Sequence, residues 1–310
     1  MMRSLPFNIG HVKVPPIKCQ GIKTRLVPFI FNSIRWDTED GRWIEPFLGS
    51  GVVALNLAPE RALLSDTNPH IINFYRAIQR GETDQSSVRE FLRMEGEKLA
   101  ARGADYYYEV RERFNSEGSS LDFLFLNRSC FNGVMRFNRV GRFNVPFGHK
   151  PQRFTKAYIT KIVNQVGWVS KLLRNRDWEF RAARWDELLC EATPGDFVYL
   201  DPPYIGRHTD YYNSWDEAQA GRLAAGARKL PCGFALSMWV ENRYRKNTHI
   251  AEFWSGLETR VCGHFYHVGS SESLRNEIDE ALIIKPGFAT PDLGKQAMRK
   301  EKEKCAATLF

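Results

Sequence analysis

Three short apolar runs along the 310-residue chain stop at polar loops: "RWIEPFLGSG", "RALLSDTN" and "DFVYLDPPY". Runs of this length without strict alternation fit strands covered on both faces, as in a parallel sheet. "FALSMW" and "EALIIK" supply two more strand candidates late in the chain. Between them lie helical patterns. In "SSVREFLRMEGEKLAARG" the residues Val88, Phe91, Leu92 and Leu99 share one helical face, and Gly103 ends it. Strands interspersed with helices predict an open α/β sheet with ligands at the carboxyl ends of its strands. That rule puts Asp201, which closes the third run, at a ligand site.

The stretch from about residue 75 to 175 breaks the alternation. It holds a helical segment followed by turn chemistry such as "FNG" and "VGRFN", which predicts an inserted, mostly helical lobe with a hairpin or loop around residues 131–145. The expected organisation is a catalytic domain from residues 1–75 and 176–286, an inserted recognition lobe over 76–175, and a mobile, highly charged tail over 287–310.

Charge sharpens this picture. The net charge is +8, yet none of the 36 Asp and Glu falls between Phe123 and Arg176, where eleven of the 44 Lys and Arg sit. The rest of the chain is therefore near neutral. Solvated charged faces normally mix both signs, so an acid-free window of this length points to a polyanion such as a phosphate backbone. The six cysteines are scattered without a CxxC pair, which gives no support to a metal cluster or disulfide framework and favours a reducing, cytoplasmic setting. No apolar run approaches the roughly 18 residues of a membrane span.

Two loops carry candidate chemistry. "EPFLGSGVVALNL" ends a strand at Glu45 and turns through Gly49 to Gly51 into a helix, which suits close approach of a ligand to backbone N–H groups. "LLSDTN" ends in Asp66, an acid positioned to bond ribose hydroxyls or, alternatively, to cap a helix. A full GxGxxG is missing, which disfavours a nicotinamide dinucleotide. In "DPPY" the Asp201 carboxylate and the Pro202 carbonyl, stiffened by Pro202 and Pro203, are two fixed acceptors, and Tyr204 is a flat wall. Two acceptors suit the two hydrogens of an exocyclic amino group, and the ring can stack on the heterocycle. His264 and His267 lack Cys or carboxylate partners in sequence and stay unassigned.

Taken in order, "IKCQGIKTRLVPFI", "EPFLGSGVVALN", "SDTNPHIINFY", "FLFLNRSCFNGVMRFNRVGRFNVPFG", "DPPY" and "HFYHVGSSESLRNEIDEALIIK" resemble the Dam-like, alpha-group DNA adenine N6-methyltransferases. The likeness runs from Ile17 to about Lys285. It implies a Rossmann-like methyltransferase sheet and S-adenosylmethionine as cofactor, held by Lys23, Glu45, Phe47, Gly49, Gly51, Asp66 and Asp201. It implies catalysis by Asp201, Pro202, Pro203 and Tyr204 on a flipped adenine in duplex DNA, with no metal. Within the lobe it implies that Phe131 wedges between bases, Asn132 neighbours the orphaned partner base and Arg136 reads a base edge. Arg139, Arg142, Lys150 and Arg153 suit phosphates, which give affinity without sequence choice, and Arg128 joins the DNA-contacting set. GATC is a first candidate site, and a restriction endonuclease cutting the same site is a possible partner. The chain departs from the family where Cys19 replaces an aromatic and Gly21-Ile22 replaces a double glycine. An RNA adenine methyltransferase, or a non-catalytic nucleic-acid-binding protein on the same fold, is the alternative.

Overall fold

The computed structural model describes residues 9–36, 40–203, 215–242, 245–246, 249–265 and 277–291. Tyr204, His267, residues 292–310, and Tyr211 and Tyr212 of the aromatic stretch expected in a loop near DNA lie outside this set. The chain forms a mixed α/β fold. In chain order its elements are α1 (Val27–Ser33), β1 (Trp43–Glu45), α2 (Val52–Leu57), β2 (Arg61–Asp66), α3 (Pro69–Gln79), α4 (Gln85–Arg102), α5 (Ala104–Glu117), α6 (Ser120–Ser129), a 3-10 turn (Phe131–Gly133), α7 (Lys156–Leu173), β3 (Asp177–Ala182), α8 (Trp185–Cys190), β4 (Phe197–Leu200), α9 (Glu217–Arg228), β5 (Gly233–Asn242), β6 (Arg245–Lys246), α10 (His249–Phe253), β7 (Glu258–Phe265) and β8 (Glu277–Ile284).

The sheet runs in the order β3-β2-β1-β4-β5-β8-β7, with β6 pairing to β5 off that path. Strands β3, β2, β1, β4 and β5 are parallel, and β8 and β7 close the sheet antiparallel. Strand order reverses between β1 and β4, where neighbouring connections leave to opposite sides and open a crevice for ligands. All five strands expected from the apolar runs are present. Strands β3 and β7 were not legible because both lie at edges and carry polar residues: β3 alternates exposed Asp177 and Glu179 with buried Trp178 and Phe180.

Both faces of the sheet are buried, and alternate residues choose between them. Trp43, Leu64, Phe197 and Tyr199 join a large core with α1 to α7, while Ile44, Leu63, Val198 and Leu200 join a smaller core that includes residues of α8, α9 and α10. In β4 this alternation carries past the strand end, so that Asp201 continues the Tyr199 side and Pro202 the Leu200 side. Helices α4 to α7 share one continuous apolar core with the sheet. Helix α4 begins at a capping box between Asp84 and Ser87 and ends at Gly103, as its pattern predicts. The expected hairpin takes the form of two antiparallel bridges, Cys130 with Phe147 and Phe137 with Phe143.

Of the tail expected to be mobile, residues 287–291 lie within the described set, and they bond to the end of α1 and the segment after it. Ala289 bridges to Ile34, the Phe288 carbonyl accepts the Arg35 N–H at 2.7 Å, and Thr290 N–H donates to the Ser33 carbonyl at 3.0 Å. Phe288 also packs against Phe197, so the chain is tied to the core through Thr290. No helix among the described residues is long and apolar enough to cross a membrane.

Candidate active site and nucleic-acid interface

Strands β1, β2 and β4 deliver Glu45, Asp66 and Asp201 to one edge of the sheet. After β1 the chain must turn sharply into α2, and it does so with Gly49 at φ 51° and Gly51 at φ 69°. Side chains are strained in this left-handed region. They would also lack room: a Cβ on Gly49 would lie 3.3 Å from Cys19 Sγ, and one on Gly51 would lie 3.3 Å from the Leu55 side chain. The loop is fixed to β2 through Leu48 N–H to the Ser65 carbonyl at 2.8 Å and Gly49 N–H to Asp66 Oδ2 at 2.9 Å. Asp66 Oδ1 accepts the Asn68 N–H at 2.9 Å, leading the chain into α3. Burial raises the Asp66 pKa, opposed by those bonds from Asn68 and Gly49.

Glu45 is buried with its Oε2 accepting from Trp43 Nε1 at 3.0 Å and from the Ala54 N–H at 3.1 Å. Burial pushes its pKa up to about 8. Its side chain thus anchors the first turn of α2 from within. Phe47 is on the other face, edge-on to Trp215 with ring centroids 5.5 Å apart.

The N-terminal motif reaches the end of β4 through one buried ion pair. Lys23 Nζ lies 2.8 Å from Asp201 Oδ1, with the lysine 3% exposed and the aspartate 20%. Lys23 Nζ also donates to the Gly21 carbonyl at 3.1 Å. Burial raises the Asp201 pKa, and the charge and hydrogen bond of Lys23 oppose the rise. Cys19 takes the place beside Gly49, where burial and the nearby carboxylates of Asp66 and Asp201 push its thiol up to about 12. It is a neutral packing group there.

Next to Asp201, Pro202 and Pro203 form one wall of a shallow open pocket, with Trp215, Trp239, His249 and Trp254 among the others. Trp215 follows the DPPY strand closely in sequence, whereas Trp239 and Trp254 come later and no local pattern joins them to it.

The acid-free block divides into inward and outward residues. Phe131 is 48% exposed and Asn132, also exposed, holds φ 53°. A non-glycine residue in that region is uncommon and costs about 1–3 kcal/mol, which marks the turn as held by its surroundings. Phe131 N–H donates to the Pro146 carbonyl at 2.9 Å, and Gly148 N–H donates to the Ser129 carbonyl at 3.0 Å. Arg136 is half-buried, its Nε donating to Asn144 Oδ1 at 2.8 Å. Arg139 and Lys150 are exposed. Arg142 is exposed too, but pairs with Glu112 of α5.

Arg128 is a correction. It is 4% exposed, donates from Nε to the Pro16 carbonyl at 2.7 Å and from Nη2 to Gln165 Oε1 at 2.7 Å, and so is a structural cation inside the protein. Phosphate cannot reach a guanidinium already surrounded by carbonyls. Lys18 and His149 also lie at this surface, with no motif to mark them. Lys18 packs its stem against Gly133, beside the exposed turn, and His149 is exposed at φ 54° where the bridged segment leaves. Only the short-range spacing to the "FNG" turn could have signalled His149; nothing local links Lys18 to it.

Comparison with known proteins agrees with this arrangement. Residues 20–268 match the model of the D12 class N6 adenine-specific DNA methyltransferases. A DNA adenine methylase of Vibrio cholerae is 30% identical over 264 residues, covering 82% of this chain and 89% of its own. The Type II methyltransferase M.MjaIII of Methanocaldococcus jannaschii is 32% identical over 247 residues, covering 70% and 80%, and the DNA adenine methylase of Escherichia coli K12 is 28% identical over 266, covering 80% and 88%. With a family match over most of its length and a sheet whose switch point carries Asp201 beside a glycine loop, the chain belongs to the D12 class N6 adenine-specific DNA methyltransferase family.

Proposed function

We propose that this enzyme transfers a methyl group from S-adenosylmethionine to N6 of an adenine flipped out of a short duplex site, with Asp201 and the Pro202 carbonyl orienting the amino group. The observation that carries the proposal is the buried Lys23–Asp201 pair, which holds a carboxylate at the end of β4 beside an aromatic-walled pocket. The residues at the β1 and β2 ends suit the donor. Gly49 and Gly51 permit the tight left-handed turn between β1 and α2, and each Asp66 oxygen has a further lone pair for a ribose hydroxyl beyond its internal bond. Glu45 supports this loop through the Ala54 N–H, with Lys23 and Phe47 at its flanks. When bound, S-adenosylmethionine supplies an electrophilic methyl on its sulfonium.

A duplex hides adenine N6, so the base must leave the stack at a cost of a few kcal/mol. Asp201 and the Pro202 carbonyl accept the two amino hydrogens. That withdraws the nitrogen lone pair from the ring and aims it at the methyl. In a buried setting such fixed acceptors act with little reorganisation. The nitrogen is cationic after transfer and acidic enough to pass its proton to the neighbouring Asp201 carboxylate with little need for a strong base. Tyr204, which lies outside the described residues, is the proposed stacking face, with Pro203 stiffening the turn before it.

On the lobe, exposed Phe131 is the proposed wedge and Asn132 the neighbour of the orphaned base. Arg136, oriented by Asn144, can bond O6 and N7 of guanine, worth about 1–3 kcal/mol of discrimination. Arg139, Lys150 and, once released from Glu112, Arg142 hold phosphates, giving affinity without sequence choice. This reading puts the enzyme in the cytoplasm on double-stranded DNA, alone or opposite a restriction endonuclease that cuts the same site. The test is incubation with labelled S-adenosylmethionine and unmethylated genomic DNA, followed by nucleoside analysis and mapping. N6-methyladenine at one short motif is expected; methylation of RNA alone would overturn the choice of duplex DNA.

A further inference from the structure

Asn127 is fully buried in the last turn of α6, and its carboxamide is spent on the backbone of one distant residue. Its Oδ1 accepts the Lys18 N–H at 2.7 Å, and its Nδ2 donates to the Lys18 carbonyl at 2.9 Å. A neighbouring strand would engage Lys18 through the same two groups. Arg128, the next residue, donates to the Pro16 carbonyl, and Gly133 lies so close to Lys18 that a Cβ there would be 2.4 Å from its Cδ. Residues 15–18 are thus bonded to the end of α6 and packed under the Phe131–Gly133 turn. Five residues further along, the same segment delivers Lys23 to Asp201 at 2.8 Å and, on the way, sets Cys19 against Gly49.

We infer that Asn127 is a positioning residue that couples engagement of the Phe131–Asn132 turn by DNA to the alignment of Lys23 with Asp201, through residues 15–23. The inference rests on the proposed contact of that turn with DNA. A base pair opened at Phe131 displaces the end of α6; because Lys18 is held to Asn127 by both of its backbone groups, the segment moves with the helix. Lys23 is buried, so a small displacement of its ammonium changes the field at the Asp201 carboxylate far more than it would in water. Such chains of packed and hydrogen-bonded groups carry coupling between sites, and double-mutant cycles are the means of detecting it.

The experiment measures single-turnover methyl transfer at saturating duplex and S-adenosylmethionine for Asn127→Ala, Lys23→Met and the double variant, with both dissociation constants. Asn127→Ala is expected to slow transfer about tenfold while both constants stay within about threefold, and the double variant is expected to be no slower than Lys23→Met alone. Losses that multiply in the double variant overturn the inference, because a merely structural Asn127 would weaken either background equally. Should Asn127→Ala fail to fold, amide hydrogen exchange on the unaltered protein decides. Duplex containing the methylated site is expected to slow exchange in residues 131–133 and 15–23 together. Protection of 131–133 without 15–23 overturns the coupling and leaves the DNA contact standing; protection of neither overturns the DNA contact itself.

Discussion

Lys23 Nζ sits 2.8 Å from Asp201 Oδ1, joining an N-terminal motif to the end of a strand that follows it by almost 180 positions in the chain. Burial alone would favour a protonated Asp201; the lysine opposes this by charge and by hydrogen bonding. In the proposed mechanism Asp201 must be ionised to accept the amino hydrogens with full strength. Lys23→Met removes the opposing cation and raises the Asp201 pKa further, so the acid limb of the kcat/KM profile moves to higher pH. A fall in kcat of about tenfold or more at neutral pH accompanies it. A pH–rate profile checks this, and an unmoved acid limb would mean that Asp201 does not govern it.

Glu45 gives a stability signature of its own. The folded protein keeps a proton on this buried carboxyl up to about pH 8, whereas the unfolded chain releases it near the ordinary value of 4.5. Between those limits the folded state binds more protons, so this group's contribution to stability falls as pH rises, by at most about 1.4 kcal/mol per pH unit. Glutamine keeps an oxygen for Trp43 Nε1 and the Ala54 N–H but cannot ionise. Glu45→Gln is therefore expected to gain on the natural protein as pH increases, in urea melts at about pH 5 and about pH 8. A difference independent of pH would show that Glu45 titrates normally.

Arg128 and Arg136 belong to the same basic block but should fail in different ways. Arg128→Ala leaves the Pro16 carbonyl and Gln165 without their charged donor and is expected to cost about 3 kcal/mol of stability, with the salt dependence of DNA binding unchanged. Arg136→Ala is expected to leave the urea midpoint nearly in place and to relax preference at one position of the site by about 1–3 kcal/mol. Paired unfolding curves and competition binding with single-base variants of the duplex separate the two. A steep loss of salt dependence in Arg128→Ala would restore that residue to the DNA surface.

The apolar runs that end in Glu45, Asp66 and Asp201 were legible because a strand buried on both faces must stop where its first ionisable group meets the edge of the sheet. Edge strands β3 and β7 were not, since one side of each pairs with nothing in the sheet and tolerates polar residues. The order of motifs put Glu45, Asp66 and Asp201 at the ends of neighbouring strands, but it could not tell which arginines of a basic block turn inward. Arg128 does so because Pro15 and Pro16, more than a hundred residues earlier, present carbonyls to it. Likewise Trp215, Trp239 and Trp254 meet only in the folded chain, on the Pro202 side of β4. Local pattern records which residues are buried; it does not record which distant partner buries them.

The measurement closest to the central claim is methyl transfer by Asp201→Ala, taken with its affinities for duplex DNA and S-adenosylmethionine. Loss of transfer by at least about a hundredfold, with both affinities within a few-fold of the natural enzyme, is the expected result. Transfer near the natural rate, or a loss matched by equal weakening of DNA binding, would contradict the assignment of Asp201 to the chemistry.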